Sequence, residues 1–452
     1  MRNHLLKLLL TIFFSLALLA GSDVCESKAA LMVSFLVLGL VLIISDGFLQ
    51  KKSQNQEPRS IASILYSYKF HPCWAWLIWA GYIGIRIFQT PNHYYQLTHG
   101  YALGIGALGF IIGFIMMFYK KLKPWVMSAW LWSLGITCFI QIIFCVIQLT
   151  LNSDFTVHER LASRASPFVK GTYFFEGGFG LFASLMTAFF SAYLLSQFKN
   201  LKIIQKIMFG LGFIIMLFLT FNSNSLTGMI IASLSVTLFP LCYYLSFISV
   251  FKRSLQWKWL QISSLIIILG ISSSGSIWNQ QLPINERLDI KFLTAYDARL
   301  QYGDLALALI QEKPWFGHGT RMYNHLYLTV YDGDSSIWTN LDVERVHQEV
   351  LQLTCDYGIV GLALFLIALI WSIICFSQLA RLKIKAQETT LYTRWLNQIW
   401  PFFILAVAIL VTTIGDFSLH YSNNCFLLGL SLGALNAWLK PIKSHDTTKN
   451  QQ

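Results

Sequence analysis

Two groups of side chains in this chain have the types and spacing to do chemistry. The first centres on His347, which follows Glu344 by three residues. In a helix that spacing puts both on one face. A carboxylate beside an imidazole can fix its tautomer and leave the other ring nitrogen to accept a proton near neutral pH. The same residues also suit a histidine on the wet face of an amphipathic helix, and spacing alone leaves both readings open. The second group is arginine. Arg160 and Arg164 share one polar segment, and Arg287, Arg299, Arg321 and Arg345 share another. Guanidinium groups stay charged and bind phosphate bidentately, so the cluster suits a lipid-linked diphosphate. Solvated charges, or ion pairs with Glu159, Glu286, Asp289 and Asp297, are the plainer alternative.

Glu176 stands at the mouth of an apolar run, six residues after Lys170. An acid near hydrocarbon is costly unless paired or facing water, so such a residue is a functional candidate. Arg86, near the end of another run, invites the same attention, although a snorkelling side chain would also explain it. Asp332-Gly333-Asp334 has a spacing that can hold a hard divalent cation. It is also common turn chemistry, and no second carboxylate cluster supports a metal, so none is expected. No phosphate-binding Gly-rich loop, zinc spacing or dinucleotide fingerprint is present, and no cofactor is expected.

These residues must be positioned by membrane helices. The chain has 452 residues, 55% of them apolar and 12% charged, about half the charge of soluble domains. Runs long enough to cross roughly 30 Å of hydrocarbon recur near 5–21, 29–49, 71–89, 99–119, 125–151, 173–197, 203–221, 225–250, 259–278, 357–380, 396–415 and 418–439. The net charge of +12 does not point to nucleic acid. With the N-terminus placed inside, 22 of the 33 Lys and Arg fall in alternate, cytoplasmic segments. The short segments near 90–98, 222–224 and 416–422 on the other side have none. Lys and Arg resist translocation, so the charge is a topology signal, with twelve spans and both termini cytoplasmic. Ala20-Gly21-Ser22 after the first run is similar to a signal-peptidase site; cleavage there would not alter the later topology. The cysteines show no secreted disulfide framework.

The expected organisation is therefore an all-α polytopic membrane protein. Helices 1–9 occupy 1–278 with a short non-cytoplasmic loop at 152–172. A large, partly helical loop at 279–356 precedes helices 10–12 over 357–439, and a polar tail covers 440–452. Within the large loop, 295–311 predicts one helix, stopped by Pro314. A second helix is expected from Thr339–Asp342, where the spacing resembles a capping box, and would carry His347 a turn into it. An irregular middle separates the two.

Over Arg299–Phe365 the chain resembles the O-antigen ligase family of bacterial membrane glycosyltransferases. Arg299 leads into Pro314-Trp315-Phe316-Gly317-His318-Gly319, similar to the family's arginine followed by Pro-x-x-Gly-x-Gly. Val346-His347-Gln348-Glu349-Val350-Leu351-Gln352, and then Gly358-Ile359-Val360-Gly361, resemble its His-Asn-x-x-Leu-Gln and Gly-x-x-Gly segments. Lys170–Phe182 and Phe221–Gly228 are weaker echoes. Gln348 stands where asparagine is usual, and the basic residue beside Gly171 is a lysine.

The resemblance implies a GT-C-like fold in the bacterial inner membrane. It implies a glycan donor on undecaprenyl diphosphate, and lipid A–core or a second lipid-linked glycan as acceptor. It also implies His347 as catalytic base without metal or cofactor. Arg160, Arg164, Arg287 and Arg299 become diphosphate candidates, with Lys170, Glu176, Arg321, Arg345 and Glu344 as accessory groups. Ligation to lipid A–core leads, followed by O-antigen polymerisation and protein O-glycosylation. Transport of a lipid-linked substrate is the reading of a different class, and it would place charges near the membrane midplane.

Overall fold

The computed structural model describes residues 2–21, 26–52, 72–118, 123–150, 173, 176–223, 225–248, 302–330, 346, 348–385, 389–415 and 422–437. These residues form helices and connections, with no strand among them. Five helices lie before the expected loop at 152–172: α1 (Arg2–Ala20), α2 (Glu26–Lys52), α3 (Cys73–Phe88), α4 (His93–Phe118) and α5 (Lys123–Thr150). Four follow it: α6 (Glu176–Gln197), α7 (Ile203–Asn222), α8 (Leu226–Val236) and α9 (Leu238–Ile248). Then come α10 (302–312), α11 (Tyr323–Val330), α12 (Glu349–Lys385), α13 (Thr389–Gly415) and α14 (Ser422–Asn436). Nine stretches among the described residues are long and apolar enough to cross a membrane. The protein is a multi-pass, all-α membrane protein.

Three expected spans differ in detail. The run at 225–250 is two helices, α8 and α9, which meet at Thr237 (φ −110°, ψ −73°). Pro240 has no N–H to offer Val236 and its ring crowds that carbonyl, while the hydroxyls of Ser233 and Thr237 turn back to Met229 and Ser233 carbonyls. The run at 71–89 yields only the 16 residues of α3, roughly 24 Å at about 1.5 Å per residue. The run at 418–439 yields the 15-residue α14. The run at 259–278 and the loop at 152–172 lie outside the described residues.

Apolar surface gives little reason for helices to associate in lipid, so close packing and polar contacts must hold them together. The closest pair is α4 with α14. Gly109 and Gly113 face the backbone of Phe426 and Leu430, while Gly429 and Gly433 face the backbone of Gly106 and Phe110. A Cβ at Gly109 would stand 2.5 Å from the Phe426 carbonyl oxygen. Helix α6 is enclosed by α7, α8 and α13. There the rings of Phe189 and Tyr193 stack at 6.0 Å, and Tyr193 meets Phe209 at 4.8 Å. Helix α12 leans on α3 through Trp76, whose indole N–H donates to Ser372 Oγ at 3.0 Å and whose ring meets Phe365 edge-on.

A leucine at 433 would have to displace the Phe110 backbone. Gly433→Leu should cost about 3 kcal/mol, the upper range for overpacking. The check is a thermal melt of the purified protein in detergent, where an unchanged midpoint would contradict the backbone contact.

Candidate functional site

Helix α10 runs into Lys313 and Pro314, and proline cannot continue it. The His318 side chain then reaches back, Nε2–H to the Leu309 carbonyl at 2.7 Å, and covers the open end of the helix. Between these two residues the chain reverses. Glycine at 317 (φ 67°) and at 319 (φ 104°) supplies the left-handed backbone that other residues adopt only at a cost.

The reversed segment docks on a break in α12. At Gly358 the backbone leaves the helix (φ 72°, ψ −179°). In an unbroken helix the N–H groups of Ile359 and Val360 would donate to Cys355 and Asp356. Instead, Ile359 N–H donates to Pro314 O at 2.8 Å and Val360 N–H to Trp315 O at 3.2 Å. The carbonyls of Cys355 and Asp356 accept from the His318 and Gly319 N–H groups, both at 2.9 Å. A Cβ at Gly317 would lie 2.5 Å from the Asp356 carbonyl, and one at Gly358 would enter the Trp315 carbonyl.

The end of α3 closes the third side. Thr90 Oγ1 accepts from Thr320 N–H at 2.9 Å and donates to the Arg86 carbonyl at 3.0 Å. Thr320 Oγ1 and the Tyr357 hydroxyl are 3.0 Å apart, and the Tyr82 hydroxyl donates to Tyr357 O at 2.7 Å. The Arg86 guanidinium donates through Nη2 to Gly317 O at 3.1 Å. Above this joint, Tyr302, Ala306, Leu309, Tyr323, Val346 and Cys355 form a small apolar core. Burial pushes the Tyr323 phenol far above its ordinary value, so it stays protonated and donates to Tyr302 O at 3.2 Å.

Beneath that core, Asp356 and Gln352 are both buried. Gln352 Nε2 donates to Asp356 Oδ1 at 3.0 Å, and its Oε1 accepts from Val346 N–H at 3.2 Å. Its own N–H donates to the Gln348 carbonyl at 2.9 Å. One side chain and its amide therefore anchor the backbone on both sides of position 347. Arg321 is buried beside Asp356, with its backbone N–H on the carboxylate and its guanidinium close enough to attract it. It adopts φ 55°, the one left-handed residue other than glycine among the described residues, at a cost on the order of 1–3 kcal/mol.

The structure places the candidates unevenly. Arg321 is in this joint, and Glu176 is the first residue of α6. His347, Glu344, Arg345, Arg160, Arg164, Lys170, Arg287 and Arg299 lie outside the described residues, as do Asp332 and Asp334. One expectation is corrected: Val346 and Gln348 are not helical, and the helix begins at Glu349. The expected start at Thr339–Asp342 and the Glu344–His347 spacing lie outside the described residues. Gln352 explains the start, because its side chain caps the chain coming in. The middle of the loop also holds α11, which was not expected. Sequence reasoning missed Thr90, Thr320 and Asp356 and gave Gln352 only as part of the resemblance, without a role; the i, i+4 spacing of Gln352 and Asp356 could have signalled the pair. Among the described residues no three His, Cys, Asp or Glu side chains gather as metal ligands.

A family model described as O-antigen ligase matches residues 211–366, about a third of the chain. The match runs from α7 through the docked turn to the first part of α12. No curated protein matches the chain.

Two substitutions test the joint. Gly358→Ala must adopt a left-handed backbone and also meets the Trp315 carbonyl; it should cost about 2 kcal/mol from the backbone alone. Gln352→Leu removes one of the hydrogen bonds to Asp356 and leaves the Val346 N–H without its partner, at about 1–3 kcal/mol for the unsatisfied N–H. Hydrogen exchange should show the loss at 314–319 and 346–358, with α4 and α14 unchanged.

Proposed function

We propose that this chain, which matches the O-antigen ligase family model over 211–366, transfers a glycan from undecaprenyl diphosphate to a hydroxyl of lipid A–core. The reaction takes place at the non-cytoplasmic face of the bacterial inner membrane. The family match supports glycosyl transfer between lipid-linked substrates. The basic residues of alternate segments support the orientation, with both termini cytoplasmic.

The observation that carries the reading is the anchoring of the chain around His347. A base must hold its place to within hydrogen-bond reach of the proton it takes. Gln352 ties Val346 and Gln348 to one another and to the buried Asp356. In this mechanism the acceptor hydroxyl gives its proton to a ring nitrogen of His347 while its oxygen bonds to the anomeric carbon. The bond from that carbon to the phosphate oxygen breaks, and the diphosphate leaves with the electron pair. Arg160, Arg164, Arg287 and Arg299 neutralise the developing charge, as guanidinium groups can do without a metal. Lys170, Glu176, Glu344, Arg345 and Arg321 are accessory, Arg321 through its hold on Asp356.

His347→Ala should lower transfer by at least about a hundredfold, the usual contribution of a positioned base, while the protein melts as the wild type does. Full transfer in that variant would remove His347 from the mechanism. In a deletion strain, ligation predicts rough lipopolysaccharide with polymer stranded on undecaprenyl diphosphate. Core capped by a single repeat would mean polymerisation instead, and an unchanged banding pattern would reject both.

A further inference from the structure

Arg86 belongs to neither the matched region nor any motif of the chain, yet its guanidinium reaches the joint at Gly317. It stands in the last turn of α3. Its Nη1 donates to Gln89 Oε1 at 2.6 Å and its Nη2 to Gly317 O at 3.1 Å, both neutral acceptors. Its Nε–H is buried with no hydrogen-bond partner, and no carboxylate among the described residues forms an ion pair with it. Neutral hydrogen bonds do not compensate a half-buried charge, so the site favours an anion.

The surroundings say what kind of anion. Trp315 and Phe316, which lead into Gly317, are 64% and 58% exposed. The carbonyls of Pro314 and Trp315 are bonded to Ile359 and Val360, where α12 resumes its apolar course. Exposed aromatics at that level match the membrane–water interface. A water-soluble anion would have no use for this apolar border, whereas a lipid with a phosphorylated head would use both halves.

We propose that Arg86 is a contact for the diphosphate of the donor lipid, and that Trp315 and Phe316 seat the first isoprene units of its chain. The inference rests on the function proposed above and deepens it. It assigns the membrane-level half of the donor site to α3 and the Pro314–Gly319 turn, outside the four loop arginines. The bond to Gly317 would then couple donor binding to the turn that docks beside Asp356.

Binding can be read without turnover. The full chain in nanodiscs is titrated with undecaprenyl diphosphate carrying no glycan, and bound lipid is counted by native mass spectrometry. Arg86→Gln keeps a donor for the Gly317 carbonyl and removes the charge; Arg86→Lys keeps the charge. The expected result is about tenfold weaker binding in Arg86→Gln, the loss of one charge-assisted contact. Arg86→Lys should recover most of it, and undecaprenol should bind both variants and wild type alike. Phe316→Ala should weaken the undecaprenyl lipid more than a short-chain prenyl diphosphate.

Wild-type binding by Arg86→Gln would overturn the proposal. So would equal losses in Arg86→Gln and Arg86→Lys with a lowered melting temperature, which mark a structural latch. An equal loss for phosphatidylglycerol, marking a general anionic-lipid site, would overturn it too. These outcomes leave the His347 mechanism standing if His347→Ala still abolishes transfer. A wild type that binds no diphosphate lipid would sink both.

Discussion

At Gly358 the helical ladder is interrupted, and the two hydrogen bonds it would have made there are replaced by four that tie Pro314–Gly319 to Cys355–Val360. Much of the site follows from this exchange. Each such bond nets only about 1 kcal/mol, but a membrane-proximal helix break with unpaired N–H and C=O groups would cost several times that. The docked turn is therefore the condition under which the break can exist. The requirement is reciprocal, because the glycines that let the turn approach (317 and 319) and the glycine that opens the helix (358) all take positive φ.

The buried carboxylate of Asp356 sits directly on this joint. An isolated buried charge is expensive; burial pushes the Asp356 carboxyl up to about 7, and the Gln352 amide and the backbone and guanidinium of Arg321 offset only part of that. Arg321 accepts a strained backbone in return. Removing one member of such a group usually costs more than the assembled group contributes, so its value lies in holding one geometry. That geometry reaches the backbone on either side of position 347, the place where the proposed chemistry needs the least freedom.

The frame behind the joint is stiff for a different reason. Helices α4 and α14 meet backbone to backbone at glycines, a contact that leaves no side chains to repack. Helix α4 begins at His93, directly after the Thr90–Asn92 strap on which Thr320 docks. The strap is thus held by the closest-packed helix pair described, while α12, which carries the break, buries little of its span within the protein.

Much was legible from residues alone. The apolar runs sufficed for the membrane class because a hydrocarbon core demands long uninterrupted stretches, a local property. Pro314, Gly317 and Gly319 announced a reversal because their backbone preferences act within a few residues. The split at Thr237 was not expected, although its cause, Pro240, is local. What the tertiary structure alone decided was partnership. Arg86 and Gly317 are separated by 231 positions, as Thr90 and Thr320 are by 230, and no periodicity links them. The start of the helix at Glu349, too, depends on a glutamine side chain folding back onto Val346 once a buried carboxylate holds it. Backbone preference is set by each residue and its neighbours, whereas satisfying a buried polar group depends on what the rest of the fold brings within 3 Å.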